Sequence, residues 1–427
     1  MRISTFSLIR PAAAVLLAVL VLGAAAGCER TTAPSRRPDV FVIAVDSLRR
    51  DRLDLYGYAR ATAPTLRGLA ADAVVFTNAY STSSWARPAV ASLLTGAWPD
   101  RGGRDGLASD VFTMPELLGP AGYRSHAITS DAALADDPGF AQGFTSVTGI
   151  AGGAADAVVR AALDVLGKED PAQPLLLLLH LGDPRGPYVP PGGFVDEWAP
   201  QGTGPFDPRE ITPDTPAARM ADLHAAYDAE IAFVDRQIGL FLDAVRQAKR
   251  YDDALIVVAA THGEEFQEHG RGGHGRTLFE EVVAIPMVVK YPRKAGAGES
   301  VHGPVSLVDV LPTTLPLVGV KTNARIDGID LAPVTESQGQ AIRDRSLFFF
   351  LDAAAAGTGQ GTWRAVLQRG DKYIVGTAPG AAGQVYRLAL DPYEQSDVAG
   401  SESARAERLT RALGRMARSK PATGELP

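Results

Sequence analysis

The sequence predicts an α/β protein: a large, mostly parallel sheet sandwiched by helices over residues 39–330, then a small C-terminal subdomain of antiparallel strands plus a helix over 331–420. Three observations lead there. Short apolar, β-branched runs alternate with longer segments whose apolar residues recur at three- and four-residue steps. The runs are apolar throughout rather than at every second residue, as strands covered on both faces are. After about Asp330 the rhythm changes to short strands separated by turn residues.

The first element is not part of that core. "MRISTFSLIR" is a short basic stretch, "PAAAVLLAVLVLGAAA" an apolar one too short and too rich in small residues for a confident membrane span. Residues 1–28 therefore read as a lipoprotein-type signal peptide. Cys28, the sole cysteine, excludes an internal disulfide and stands where a bacterial lipobox places its lipid-accepting thiol, with Ala25 where Leu is more usual. A secreted chain with an incidental cysteine and an uncleaved anchor are the alternatives. "ERTTAPSRRP", residues 29–38, would be the tether. The expected location is the cell envelope, as an exported bacterial lipoprotein that faces the periplasm or the surface and meets the membrane through its lipid.

Within the large domain the buried strands are "DVFVIAV", "SHAITS", "PLLLLLHL", "ALIVVAAT" and "IPMVVKY". The helices between them include "APTLRGLAADA", "AADAVVRAALDVLGK" and "RMADLHAAYDAEIAFVDRQIGLFLDAVRQAKR". The subdomain reads as "SLFFFLDA", "TWRAVLQRG", "DKYIVGT" and "QVYRLALD", followed by the charged helix "SESARAERLTRALGRMARSK" and a tail at 421–427. With 427 residues, 46% of them hydrophobic, and a formal charge of -7, the chain can build a core and lacks the basic surplus of a nucleic-acid binder.

In parallel sheets ligands bind beyond the carboxyl ends of the strands. Asp46 ends the first strand, His180 closes "LLLLLH", and Thr261-His262 close "IVVAATH". Aspartate and histidine converging from several strand tips suit a metal-assisted anion site. "SSWARPAVASLLTG", Ser83 to Gly96, is a polar loop entering a helix, where free N–H groups and the helix dipole favour anions. Its centre, Ala86, offers no nucleophile.

These residues resemble the sulfatase family of the alkaline phosphatase superfamily. "VFVIAVDSLRRDRLDLYGYARATAPTLRGLAADAVVFTNAYSTSSWARPAVASLLTG", "GYRSHAITSD", "HLGDPRGPYVPP", "YDAEIAFVDRQIG", "ATHGEEFQEHGRGGHGRTLFEE", "VSLVDVLPT" and "VYRLALDPYEQSDVA" are similar to its segments, in its order. The resemblance implies an alkaline phosphatase-like fold and a nucleophile, a formylglycine, Ser or Thr, that attacks sulfur or phosphorus beside a divalent cation. That cation is calcium, or else manganese, zinc or magnesium, if the site is intact, and none otherwise. Asp46 and His262 match metal ligands; His180 and His274 match the histidines that contact the ester group.

The departures from the pattern concern the reaction itself. In the "CxPxR" element the nucleophile falls on Ala86, the accompanying Ser of related branches on Ala89, and the Arg on Val90. Ser47 stands where many sulfatases have a second metal Asp, and Thr261 replaces the Asp of the usual "DHG". Arg52, Gly102 and Arg185 stand where related branches usually have His. Loss of anionic oxygens weakens a hard-cation site. Ser83 or Ser84 as a substitute hydroxyl, and Glu264 as a substitute carboxylate, are disfavoured by their places in the motif.

Two functions follow from these residues. One is a sulfatase-like hydrolase of sulfuric or phosphoric esters, on a small molecule or a glycan, with its nucleophile position empty. The other is a pseudoenzyme that binds the same anionic glycan or headgroup through Arg52, Arg87, Arg185 and the histidines, because arginine forks hold sulfate and phosphate without a metal. A structural envelope lipoprotein is the blandest alternative, weakened by Asp and His at three strand tips.

Overall fold

In the computed structural model, which describes residues 36–102, 111–198, 205–359, 361–377 and 382–418, the large domain is organised by one mixed sheet. The signal peptide, Cys28, most of the tether and the tail lie outside the described residues. The strands are β1 (Val40–Val45), β2 (Val74–Tyr80), β3 (Arg124–Thr129), β4 (Ser146–Gly149), β5 (Leu175–Leu181) and β6 (Leu255–Ala260). They continue with β7 (Glu265–Phe266) and β8 (Gly272–Gly273), which pair with each other, then β9 (Ala284–Lys290), β10 (Ser300–Val301) and β11 (Val305–Ser306). The spatial order is β10-β2-β9-β6-β1-β5-β3-β4, with β11 also on β2. β1, β5 and β6 are buried along their whole length, as their uninterrupted apolar sequences require.

β1 pairs in parallel with β5 and β6, and β3 in parallel with β4 and β5. β9 departs from this direction: "IPMVVKY" runs antiparallel to both β6 and β2. The segment after β6 stays at the carboxyl end of the sheet, where β7 and β8 form. The chain therefore re-enters the sheet from that end and must run against β6.

Helices cover the sheet: α1 (Pro64–Ala70), α2 (Ala86–Thr95), α3 (Ala155–Lys168) and α4 (Ala217–Gln247). α4 packs on α1 and α3. Its Asp235 accepts from the backbone N–H groups of Thr65 at 2.7 Å and Leu66 at 2.9 Å, placing a carboxylate on the positive end of α1. At the opposite end of the sheet from the strand tips, buried Asp39 accepts from Leu175 N at 2.8 Å and pairs with Arg250 at 3.0 Å. Among the described residues no helix is long and apolar enough to cross a membrane.

The C-terminal sheet is antiparallel, in the order β12 (Ser346–Asp352), β13 (Thr362–Gln368), β14 (Asp371–Gly376) and β15 (Gln384–Arg387). Helix α5 (Ser403–Arg418) lays Leu409, Ala412 and Leu413 against Val366 and Val385. The sheet meets the large domain through edge-on aromatic pairs, Tyr80 with Phe349 and Trp98 with Phe348. Fully buried Lys372 pairs there with Glu280 at 3.0 Å and Glu394 at 3.1 Å, so the cation brings its own counter-charge into the contact.

Candidate active site

The strand tips converge on one carboxylate. Asp46, fully buried just past β1, accepts from His180 Nε2 at 2.9 Å and from the Thr261 hydroxyl at 2.5 Å, both at Oδ1. Arg185 NH1 lies 3.5 Å from Oδ2, which receives no hydrogen bond from the described residues. Burial works against ionisation of Asp46, but His180, His262 and Arg185 hold its carboxyl far below the usual carboxylate range. Register explains the meeting: β1 lies between β5 and β6, Thr261 follows β6 level with Asp46, and His180 is level with Ala44, two residues before Asp46 and so on the same face.

His180 is fixed from behind by the Thr129 hydroxyl, 2.8 Å from Nδ1 at the end of β3. His262 donates from Nδ1 to Gly263 O at 2.8 Å, which leaves the lone pair of Nε2 without a partner among the described residues, 4.0 Å from Asp46. Burial and the neighbouring charge of His274 push its pKa down to about 3, so the ring is neutral. Gly263 has no room for a side chain: an added Cβ would lie 2.0 Å from Glu281 O. His274 sits against His262 with ring centroids 4.2 Å apart and donates from Nδ1 to Glu264 at 2.9 Å. Burial disfavours its charged form, yet Glu264 and Asp46 outweigh burial and raise its pKa. Ser47 completes this wall in a left-handed conformation, φ 55°, its carbonyl accepting from the Tyr227 hydroxyl. A non-glycine residue held there marks a site where the surroundings overrule local preference.

The facing loop is braced at every step. Ser81 donates to Thr261 O, Ser84 donates to Thr277 O at 2.6 Å, and Thr82 O accepts from Phe350 N in β12 at 2.9 Å. Ser84 is thereby committed to backbone, whereas the buried Ser83 hydroxyl has no partner among the described residues. Trp85 ends the loop without capping α2, so Ala86 opens the helix with its N–H groups uncapped. Ala86, Ala89 and Val90 are all buried in the first turns of α2.

Six of the residues singled out from the sequence are thus in contact with one another: Asp46, His180, Arg185, Thr261, His262 and His274. Two are engaged by other partners. Arg52 donates to the Tyr58 hydroxyl and lies over Phe266, and Arg87 donates to Ala133 O and faces Asp137 at 3.6 Å. The structure adds Thr129 behind His180, Asp131 at 3.9 Å from Arg185, and Glu264 as the partner of His274. Only Glu264 had a signal in the sequence, and there as a stand-in metal carboxylate.

The profile of the family described as Sulfatase matches residues 38–320. The chain belongs to the sulfatase family. A second profile, N-sulphoglucosamine sulphohydrolase, C-terminal, matches residues 268–418. The chain is 22% identical to the N-acetylglucosamine-6-O-sulfatase of Bacteroides thetaiotaomicron, over 77% of this chain and 76% of that one. In fold it is similar to a protein solved in complex with its substrate D-glucosamine-2-N,6-O-disulfate (TM-score 0.75, 20% identity, 90% of this chain and 98% of the other). It is also similar to the phosphonate monoester hydrolase of Agrobacterium radiobacter (TM-score 0.71, 20% identity, 89% and 95%).

Sulfatases generally use a divalent cation, and the donor set of this one does not fit a hard ion. Calcium and magnesium sites draw on several oxygens, more than one usually anionic. Among the described residues no three His, Cys, Asp or Glu side chains converge as ligands. Asp46 Oδ1 already accepts two hydrogen bonds, and its Oδ2 faces a guanidinium. The residue standing where the second carboxylate belongs, Thr261, is here a hydrogen-bond donor to the first.

Proposed function

We propose that this sulfatase-family protein recognises the sulfate ester of a glycan, or a phosphate ester of like shape, and holds it without a covalent intermediate at residue 86. One observation carries the reading: Ala86 opens α2 where the family's nucleophile stands, while the charged strand tips facing it remain hydrogen-bonded together. A methyl group cannot attack sulfur, and a hydroxyl displaced by even about 1 Å from the attack position loses rate by about two orders of magnitude. The glucosamine sulfates named for its relatives make a sulfated aminosugar the first ligand to try. Cys28 supports an exported, lipid-anchored protein of the cell envelope, which loss of radiolabelled palmitate from a Cys28→Ser variant would test.

Hydrolysis by directly activated water is the second reading, favoured by the Nε2 of His262, which has no hydrogen-bond partner among the described residues and can accept a proton. One preparation separates the two. Titration calorimetry with glucosamine 6-sulfate should show saturable binding, and incubation with it and with an aryl sulfate should release no sulfate above buffer. Release that disappears in His262→Ala establishes the second reading. Neither heat nor release overturns both.

A further inference from the structure

We propose that Arg185 takes over in this cleft the two tasks of a divalent cation: it neutralises Asp46 and presents positive charge to the ester oxygens. The proposal rests on the reading that the cleft holds an anion. Arg185 stands in the loop after β5, with NH1 3.5 Å from Asp46 Oδ2 and 3.9 Å from Asp131. Asp46 is fully buried, yet the Arg185 side chain is 36% exposed, so the guanidinium links the sealed carboxylate to solvent. Five N–H donors in a planar fork allow one edge to face a carboxylate while another faces a tetrahedral oxyanion. Gly182 keeps the approach narrow, since a Cβ there would lie 2.6 Å from the otherwise unpartnered Ser130 hydroxyl and 3.6 Å from Arg185 NH2.

Thr261 is the second half of the exchange. Its hydroxyl and His180 both donate to Asp46 Oδ1, so one carboxylate oxygen is saturated by hydrogen bonds and the other is offset by a fixed cation. A divalent ion between Asp46 and His262 would meet that guanidinium as a like charge, with a single carboxylate to hold it. The replacements at Thr261 and Arg185 are coherent: the first removes a negative charge, the second supplies a positive one.

The test uses the full chain and inorganic sulfate as probe. Elemental analysis of purified protein should find calcium, magnesium, manganese and zinc each well below one per chain. Sulfate should raise the melting temperature equally with and without EDTA. Arg185→Ala should weaken sulfate binding at least tenfold, and Arg185→Lys, which keeps the charge and guards against a folding defect, by less. The double variant Thr261→Asp/Arg185→Ala should gain a calcium-dependent rise in melting temperature that wild type lacks. One tightly held divalent ion per wild-type chain, or sulfate binding abolished by EDTA, overturns the proposal and leaves the anion cleft standing. Failure of sulfate and glucosamine 6-sulfate to bind under either condition overturns the anion cleft itself.

Discussion

The strand-tip wall and the α2 wall of the cleft are built with equal care and differ in what their atoms can do. On the first, hydrogen bonds join Thr129 to His180, His180 and Thr261 to Asp46, and His274 to Glu264, while His262 packs on His274 and leaves its Nε2 free of partners among the described residues. On the second, the bracing is just as dense, with Ser81, Thr82 and Ser84 all committed, but the residue presented is alanine. Precision of placement and capacity for chemistry are therefore separable. The strand-tip wall brings charged side chains to the site, whereas the α2 wall brings uncapped backbone N–H groups.

The difference can be broken most sharply at Asp46. Its removal in Asp46→Ala strands the buried end of Arg185 and leaves His180 and Thr261 without an acceptor. Unfolding by urea at neutral pH should show a loss of about 3–5 kcal/mol, the usual cost of deleting one partner of a buried pair. A carboxylate kept for an external cation behaves oppositely, so a stabilised variant would contradict the internal pairing of this wall.

The next effect lies beneath the loop that carries Arg185. Glu230 of α4 accepts from Val189 N at 2.8 Å, and burial, with nearby Asp183, pushes its pKa up from 4.5 to about 8. A carboxyl with a raised folded-state pKa contributes stability that is complete below its unfolded pKa and is lost as pH rises through the folded one. Wild type should thus lose stability between about pH 4.5 and 8, and Glu230→Gln, which keeps the acceptor, should flatten that slope in denaturant titrations. Identical slopes for the two would place the proton elsewhere.

Thr261→Val removes a single donor from Asp46 and should cost about 1–2 kcal/mol by the same measurement. The smallest effect belongs to the other wall. Ala86→Ser supplies a hydroxyl at the nucleophile position, yet sulfate release from an aryl sulfate should stay at background, because Asp46 is already neutralised by its neighbours. Activity in that variant would mean that alanine was the sole defect and that the strand tips are competent as they stand.

Strand-tip chemistry was legible in the sequence because a buried parallel strand announces itself by composition and its last residue then has a known place. Asp46, His180, Thr261 and His262 were found that way. Thr129 ends a similar strand, with Asp131 two residues beyond it, but a threonine at a tip is commonplace, and its service to His180 depends on which strands are neighbours. The direction of β9 could not be read, since an apolar run has no polarity of its own. Arg87 shows a further limit: sequence places its Cα beside the anion loop, while the long side chain is drawn to Ala133 and Asp137. Glu264 was visible as a carboxylate, and only the fold of β7 against β8 shows that His274 claims it.

One hydrogen bond ties the two halves of the chain in time as well as in space. Phe350 N, on a strand made late, closes the carbonyl of Thr82 in a loop made early. The loop that leads into α2 is therefore held by a strand more than 260 residues further along the chain, and it is complete only once β12 has docked. Truncation of the C-terminal sheet would loosen the α2 wall first and leave the hydrogen bonds of Asp46 in place.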